Sequence, residues 1–259
     1  PSAIEALRAP TVVEGLGTTV IRNATGNIQF PRISVKAVGA SATEIGTNAA
    51  STMAMDEVSL SPQRVAAYTK YSKMLVTQGG PEVDRLIAND LAAAMNAYID
   101  DYAFDTIMAS TDVNQTQTAD VALSAATVNL MESQALAAGA NLAGASYVMS
   151  PNAYTNSKAL AQVSAVSAIW EDGRFNMYNA VATPYLVNGF LADGTTVAGQ
   201  IMFGNFAQGA ILAYFGGLDL LVDPYSDAGT AQIALHVNRF FDFDLRQPAA
   251  LSTATALVQ

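Results

Sequence analysis

The chain has 259 residues, 13% charged and 51% apolar, with a mean hydropathy of +0.24; an average soluble protein carries about 25% charged residues. Its 12 basic and 22 acidic residues give a net charge of −10 and a pI of about 4.4, so no basic patch exists to grip phosphates, which argues against sequence-specific nucleic-acid binding. Cysteine is absent, which removes thiol catalysis, thiolate metal sites and disulfides. No run approaches the ~20 apolar residues of a spanning helix, because the most apolar stretch, 210–222, is broken by Gly216-Gly217 and Asp219. The chain is also too apolar for disorder. A folded protein with a charge-poor surface remains, of one or two domains. Charge is depleted in interface cores. Two readings therefore stand: a surface covered by other subunits, or a compact enzyme coated in Ala, Ser and Thr.

Residues 1–31 read as an irregular arm, broken by Pro10, Gly15, Gly17, Gly26 and Pro31. Its scattered apolar residues, among them Ile4, Leu7 and Val12, form no core alone and must lie on something else. Arg32–Val38 alternates as a strand. Gly39–Met55 is a small, nearly uncharged excursion, and Val58 and Leu60 restart the alternation. Long excursions between strands are functional or disordered, and a two-stranded ribbon reaching from the body fits. A second strand is predicted over Arg64–Val76. Thr77–Pro81 is a breaker cluster that sets Pro81 at the first position of a helix. Apolar residues then recur at steps of three and four from Val83 to Ile107, one face of a helix over about 82–109. That rod is roughly 42 Å long, a spine for other elements.

Residues 111–123 read as irregular. Ser124 caps a helix to Ala138, Tyr147–Ser150 is a short strand and Pro151 starts another helix. Residues 164–178 read as an exposed loop anchored by Trp170 and Phe175. Strands are predicted over Pro184–Leu191, Gln200–Phe206, Ala210–Phe215 and Leu218–Val222, with a turn at Gly216-Gly217. The last element is the cleanest: Gln232–Leu245 alternates for fourteen residues, a long strand with one buried face. The fold class is α+β.

Most catalytic signatures are missing. Gly15-Leu-Gly17 lacks the third glycine and the flanks of a dinucleotide fingerprint. The single histidine, His236, sits on the polar face of its strand, and one His without Cys does not make the usual zinc site. No catalytic, cofactor-binding or metal residues are assigned. Carboxylates are the remaining candidates, since glycosidases need only two. Asp242 and Asp244 share a strand face, Asp100, Asp101 and Asp105 cluster on the long helix, and Asp223, Asp227 and Gly229 share a turn. The plainer reading of each is a solvated face or a turn cap.

In this order the chain resembles the major capsid proteins of tailed phages, the Hong Kong 97-type fold. The likeness rests on Gly26–Pro31, Ala42–Glu44 through Val58–Pro62, Val65–Val76 with Gln78, Ile201–Phe206, Gly217–Tyr225 and Asn238–Leu245 with Pro248. It implies an N-terminal arm at 1–31 and an extended E-loop at 32–63. It also implies a peripheral domain at 64–111 and 223–259 carrying the spine helix, and an axial (A) domain at 112–222.

The resemblance implies a homo-oligomer of pentamers and hexamers, closing into an icosahedral shell around double-stranded DNA held without sequence-specific binding. It implies a virion location, assembly in the bacterial host cytoplasm, no membrane and no cofactor. Portal, scaffold or protease, and decoration proteins are the further partners it suggests. Pro1 then reads as a protease-cut end in preference to simple Met removal. Inter-subunit contacts are expected at Ile4, Leu7, Val12, Glu44, Ile45, Asn48, Met53, Met55, Trp170 and Phe175. Some members cross-link through an E-loop lysine, but no Lys lies between Lys36 and Lys70, so a non-covalent shell is expected. The alternatives are an encapsulin-like bacterial compartment and, from another class, a carboxylate-dependent hydrolase.

Overall fold

The computed structural model describes residues 11–39, 41, 51–79, 81–117, 121–163, 170–171, 174–186, 189–190 and 197–258. β1 (Thr19–Ala24) forms, and β2 (Ile28–Val35) begins, inside the segment expected to be an irregular arm; β3 (Ala54–Leu60) and β4 (Gln63–Ser72) follow. β4 stops short of the predicted Val76. The Ser72 hydroxyl accepts a hydrogen bond from the Leu75 backbone N–H at 3.2 Å, so this serine ends the strand and caps α1 (Lys73–Gly79).

α2 (Pro81–Ala109) is the predicted spine, 29 residues with Glu82 and Asp84 in its first turn, where the helix dipole favours anions. β5 (Asn114–Gln117) and β6 (Val121–Ala122) follow in a stretch read as irregular. α3 (Ala125–Ala137) is capped by Ser124, whose hydroxyl accepts from the Thr127 N–H. β7 (Ser146–Met149), α4 (Pro151–Val163), β8 (Trp170–Glu171), β9 (Arg174–Phe175) and β10 (Tyr178–Ala182) come next. Pro184–Leu186 is a turn, and the strand predicted there is confined to β11 (Gly189–Phe190) among the described residues. β12 (Val197–Gly204), α5 (Phe206–Gly209), β13 (Ala210–Asp223), β14 (Gln232–Leu245) and β15 (Leu251–Val258) complete the chain.

Three sheets organise these strands. The first runs β1-β13-β14-β4, the second β5-β15-β12-β7-β10-β9-β8 with β11 on β12 and β6 on β15, and β2-β3 is a separate ribbon. On one face of the first sheet Leu235, Val237, Phe241 and Phe243 of β14 form a buried cluster with Met95, Ile99, Phe104 and Ile107 of α2. Its other face takes the ribbon's base, where Val58 and Leu60 pack with Ile211, Ala213 and Phe215. The second sheet holds its own core of Met131, Tyr147, Met149, Phe175, Ile201 and Phe203. Burying each such side chain contributes on the order of 1.5–3 kcal/mol.

Two features correct the domain boundaries read from sequence. Gly216, at φ +74°, does not turn the chain. It sits where the β13–β14 register shifts between Phe215 and Asp219, so extra residues are absorbed as a bulge and one strand continues. Residues 210–222 thus belong to the first sheet, not to the axial unit. Conversely β15, within the segment given to the peripheral unit, inserts between β12 and β5 of the second sheet. Its Ser252 and Thr253 are buried, and the Ser252 hydroxyl donates to the Met131 carbonyl at 3.0 Å. That polar lettering hides a core strand.

β12 meets the turn leading into β15 closely at Gly204. Its φ is +151°, and a Cβ there would lie 2.3 Å from the Ala250 carbonyl oxygen. Gly204→Ala is expected to cost about 2–3 kcal/mol through backbone strain and overpacking, read as a lower thermal unfolding midpoint. An unchanged midpoint would show that the two strands separate freely there.

Candidate assembly surface

Beyond its buried base the ribbon turns apolar side chains outward. Val38 is 72% and Met55 65% exposed, and Ile33, Val35 and Met53 are also open. The ribbon is aimed by polar ties. Arg32 pairs with Asp56 at 2.8 Å and reaches Asp112 at 3.8 Å. The Arg32 hydrogen bond, with the Glu57 N–H, holds the Asp56 carboxyl below the usual range. Lys36 Nζ donates to the Ala138 carbonyl at 2.9 Å, at the end of α3, where the dipole favours a cation.

A second apolar surface lies at the far end of the first sheet. β1 pairs with β13 only as far as Phe215, and beyond it Leu218, Leu220, Leu221 and Val222 are about half exposed. Tyr68 and Phe240 are exposed on the neighbouring strands. His236 stacks on Tyr68 with ring centroids 4.5 Å apart, a side-chain packing role. Patches of this kind mark interaction sites on soluble proteins.

The N-terminal segment is fixed to the body by one carboxylate. Asp100 of α2 is buried and accepts from the Val12 N–H at 2.7 Å and the Val13 N–H at 3.3 Å. Burial pushes its carboxyl up, the two backbone donors pull it down, and Glu14 pushes it up further, for a net rise. Glu14 accepts from the Tyr214 hydroxyl at 2.7 Å and pairs with Arg22 at 3.1 Å. Arg239 lies 3.6 Å over the Tyr214 ring and donates to Asn96 Oδ1 at 3.3 Å. This cation, alone on the apolar side of β14, is thus held by an aromatic face.

The model of the phage capsid family matches residues 2–255. The chain belongs to the phage capsid family. Its fold is similar to that of the capsid of a native GTA particle (15% identity, TM-score 0.71, 99% of this chain and 93% of that one). It is also similar to chains from Mycobacterium phage Bobi (11%, 0.72, 97% and 92%) and the capsid of the cyanophage P-SCSP1u (12%, 0.64, 98% and 90%). No curated protein matches it in sequence. The structure thus has the α+β capsid fold.

Within a capsid subunit Asp100, Asp242, Asp244, Asp223 and Asp227, among the carboxylates raised as catalytic candidates, have structural partners. Asp242 is buried and accepts from the Ser61 N–H at 2.7 Å, the Phe243 N–H at 2.9 Å and Gln63 Nε2 at 3.4 Å. Asp244 accepts from the Leu245 N–H. Asp223 accepts from the backbone N–H groups of Tyr225 and Ser226, and Asp227 pairs with Lys70 at 2.8 Å. Among the described residues no group of acids and His could hold a metal ion, and no helix is long and apolar enough to cross a membrane.

The residues expected at subunit contacts divide. Ile4, Leu7, Glu44, Ile45 and Asn48 lie outside the described residues. Met53 and Met55 are exposed on the ribbon. Val12 and Phe175 do not fit the expectation, because both are buried within the subunit, Val12 in the main core and Phe175 in that of the second sheet. Trp170 is half-buried against the same core and donates from Nε1 to the Ser157 hydroxyl at 3.1 Å. Trp170 and Phe175 are therefore turned into the subunit. Sequence reasoning passed over the sheet end at 218–222, which reads as an ordinary strand, and read Asp100 as a solvated acid.

Asp100→Ala would leave the Val12 and Val13 amides without their acceptor and cost about 1–3 kcal/mol. Asp100→Asn keeps one acceptor, for the Val12 N–H, sets its NH2 against the more distant Val13 N–H, and removes the buried charge. Because the folded carboxyl is raised, its favourable contribution is present at low pH and lost as pH rises through its folded value. The Asn variant is therefore expected to lose less stability than the Ala variant, and its deficit relative to the parent is expected to be smaller at pH 7 than at pH 3. Denaturant unfolding at the two pH values checks both; an Asn variant as unstable as Ala would contradict it.

Proposed function

We propose that the chain is a major capsid protein whose copies form pentamers and hexamers and close into an icosahedral shell around double-stranded DNA. The observation that carries this reading, beyond family membership, is the division of its apolar surface. The cores of both sheets are complete, yet the ribbon and the end of the first sheet leave apolar residues in water. With few charges available, this surface is suited to burial against other copies.

In this reading the first sheet with α2 is the peripheral domain, the second sheet is the axial domain at the capsomer axis, and the ribbon is the extended loop that lies over a neighbour. The chain works by burying interfaces and not by catalysis. Its net charge of −10 limits sticking of packaged DNA to the wall, since like charges repel. Subunits assemble in the bacterial host cytoplasm, with portal, scaffold or protease, and decoration proteins as partners, and the shell is held without lysine cross-links.

The test replaces Met53 and Met55 with Asp. The double variant M53D/M55D is expected to keep the unfolding free energy of the free subunit within about 0.5 kcal/mol, as surface changes do, while closed shells disappear from electron micrographs. Shells in normal yield would contradict the role of the ribbon, and an unmodified chain that stays monomeric would contradict the capsid reading.

A further inference from the structure

β13 has an open edge. Its partner on one side, β14, continues to Asp223, opposite Ala234. Its partner on the other side, β1, ends at Ala24 opposite Phe215. Among the described residues no strand pairs with Leu218–Asp223 on that side. An unpaired edge presents a row of N–H and C=O groups that templates another strand, and proteins normally protect such edges with lysine, proline or a covering element. Here the edge reads Leu218-Asp-Leu-Leu-Val-Asp223, with Pro224 just beyond, and Leu220 and Leu221 are 48% and 57% exposed.

We propose that this edge pairs antiparallel with the same edge of a second copy across a two-fold axis, joining two four-stranded sheets into one. The proposal rests on the shell reading, because a shell turns the same face of every copy outward. The axis must then stand perpendicular to the sheet, and each residue must oppose one of the same face.

Leu220 and Val222 oppose Val237 and Leu235 of β14, and Leu218 joins them by alternation. This is the face toward α2. Asp219 and Leu221 oppose Asn238 and His236 and lie on the other face. Pairing centred on Leu220 sets Leu220 against Leu220 and Leu218 against Val222, an apolar row shared by both copies. It sets Asp219 against Leu221 and Asp223 against Gly217, so no carboxylate faces another. Slipping by two residues either way, the smallest step that keeps the faces matched, brings Asp219 opposite Asp219 or opposite Asp223, and like charges directly opposite are destabilising. The sequence of the edge thus favours one register.

The absence of cysteine makes the contact directly testable. Opposed residues in an antiparallel pair have Cα atoms about 4.5–5.5 Å apart, within the range a disulfide spans. Particles assembled from L220C are expected to give a disulfide dimer on a non-reducing denaturing gel after mild oxidation, at least tenfold stronger than particles of D219C, whose substituted position faces Leu221. Intact L220C particles with no more dimer than D219C, or a stronger dimer from D219C, would overturn the pairing. If L220C does not assemble, L218C and V222C subunits co-assembled report the same contact. Dimer in the mixture and not in either alone supports it, and its absence from the mixture overturns it. An unmodified chain that forms no shells would count against the capsid reading and not against the pairing.

Discussion

β14 pairs along its length with β13 on one side and β4 on the other, and the rest of the subunit is laid on that three-strand block. One face accepts the spine helix through Leu235, Val237, Phe241 and Phe243. The opposite face accepts the ribbon through Ile211, Ala213 and Phe215. Because both faces are filled near the body, the ribbon has a packed root. Because that packing stops short of the outer part of β13, Leu218–Val222 remain in contact with water. The same pairing therefore produces both the stability of the subunit and the surface left for other copies.

Polar chemistry in the body serves placement. Asp100 converts two backbone amides of the N-terminal segment into a fixed attachment, and Asp242 does the same for the Ser61 amide where the ribbon returns to the sheet. Both carboxyls are pushed up by burial and held back by the backbone donors they serve. Buried acids of this kind can suggest catalysis; here each accepts from backbone donors of the chain itself. Low charge on the outside and spent charge on the inside are two aspects of one economy.

Much of this was legible in the sequence where one physical signal dominated. Pro81 followed by apolar steps of three and four yielded α2 almost to the residue, and strict alternation yielded β14. The nearly uncharged stretch ending at Met55 indicated a two-stranded ribbon, and β2 and β3 pair on either side of it. Other elements were hidden by competing signals. The Gly216-Gly217 pair reads as a turn, but it is a bulge because β14 continues past it. β15 reads as a polar tail, since Ser252 and Thr253 are buried only by strands distant in sequence. The open edge at 218–222 depends on where β1 ends, a long-range fact that no local pattern carries. Asp100 took its meaning from Val12, which lies far away along the chain.

The central claim is that copies of the chain cover the apolar surface its own fold leaves open. Amide hydrogen exchange, compared between assembled particles and dissociated subunits, tests this most directly. The account predicts strong new protection in particles at residues 51–57 and 216–223, with little change at 146–149 and 241–245, which the subunit already protects. Equal exchange at the ribbon and the sheet end in both states would contradict it.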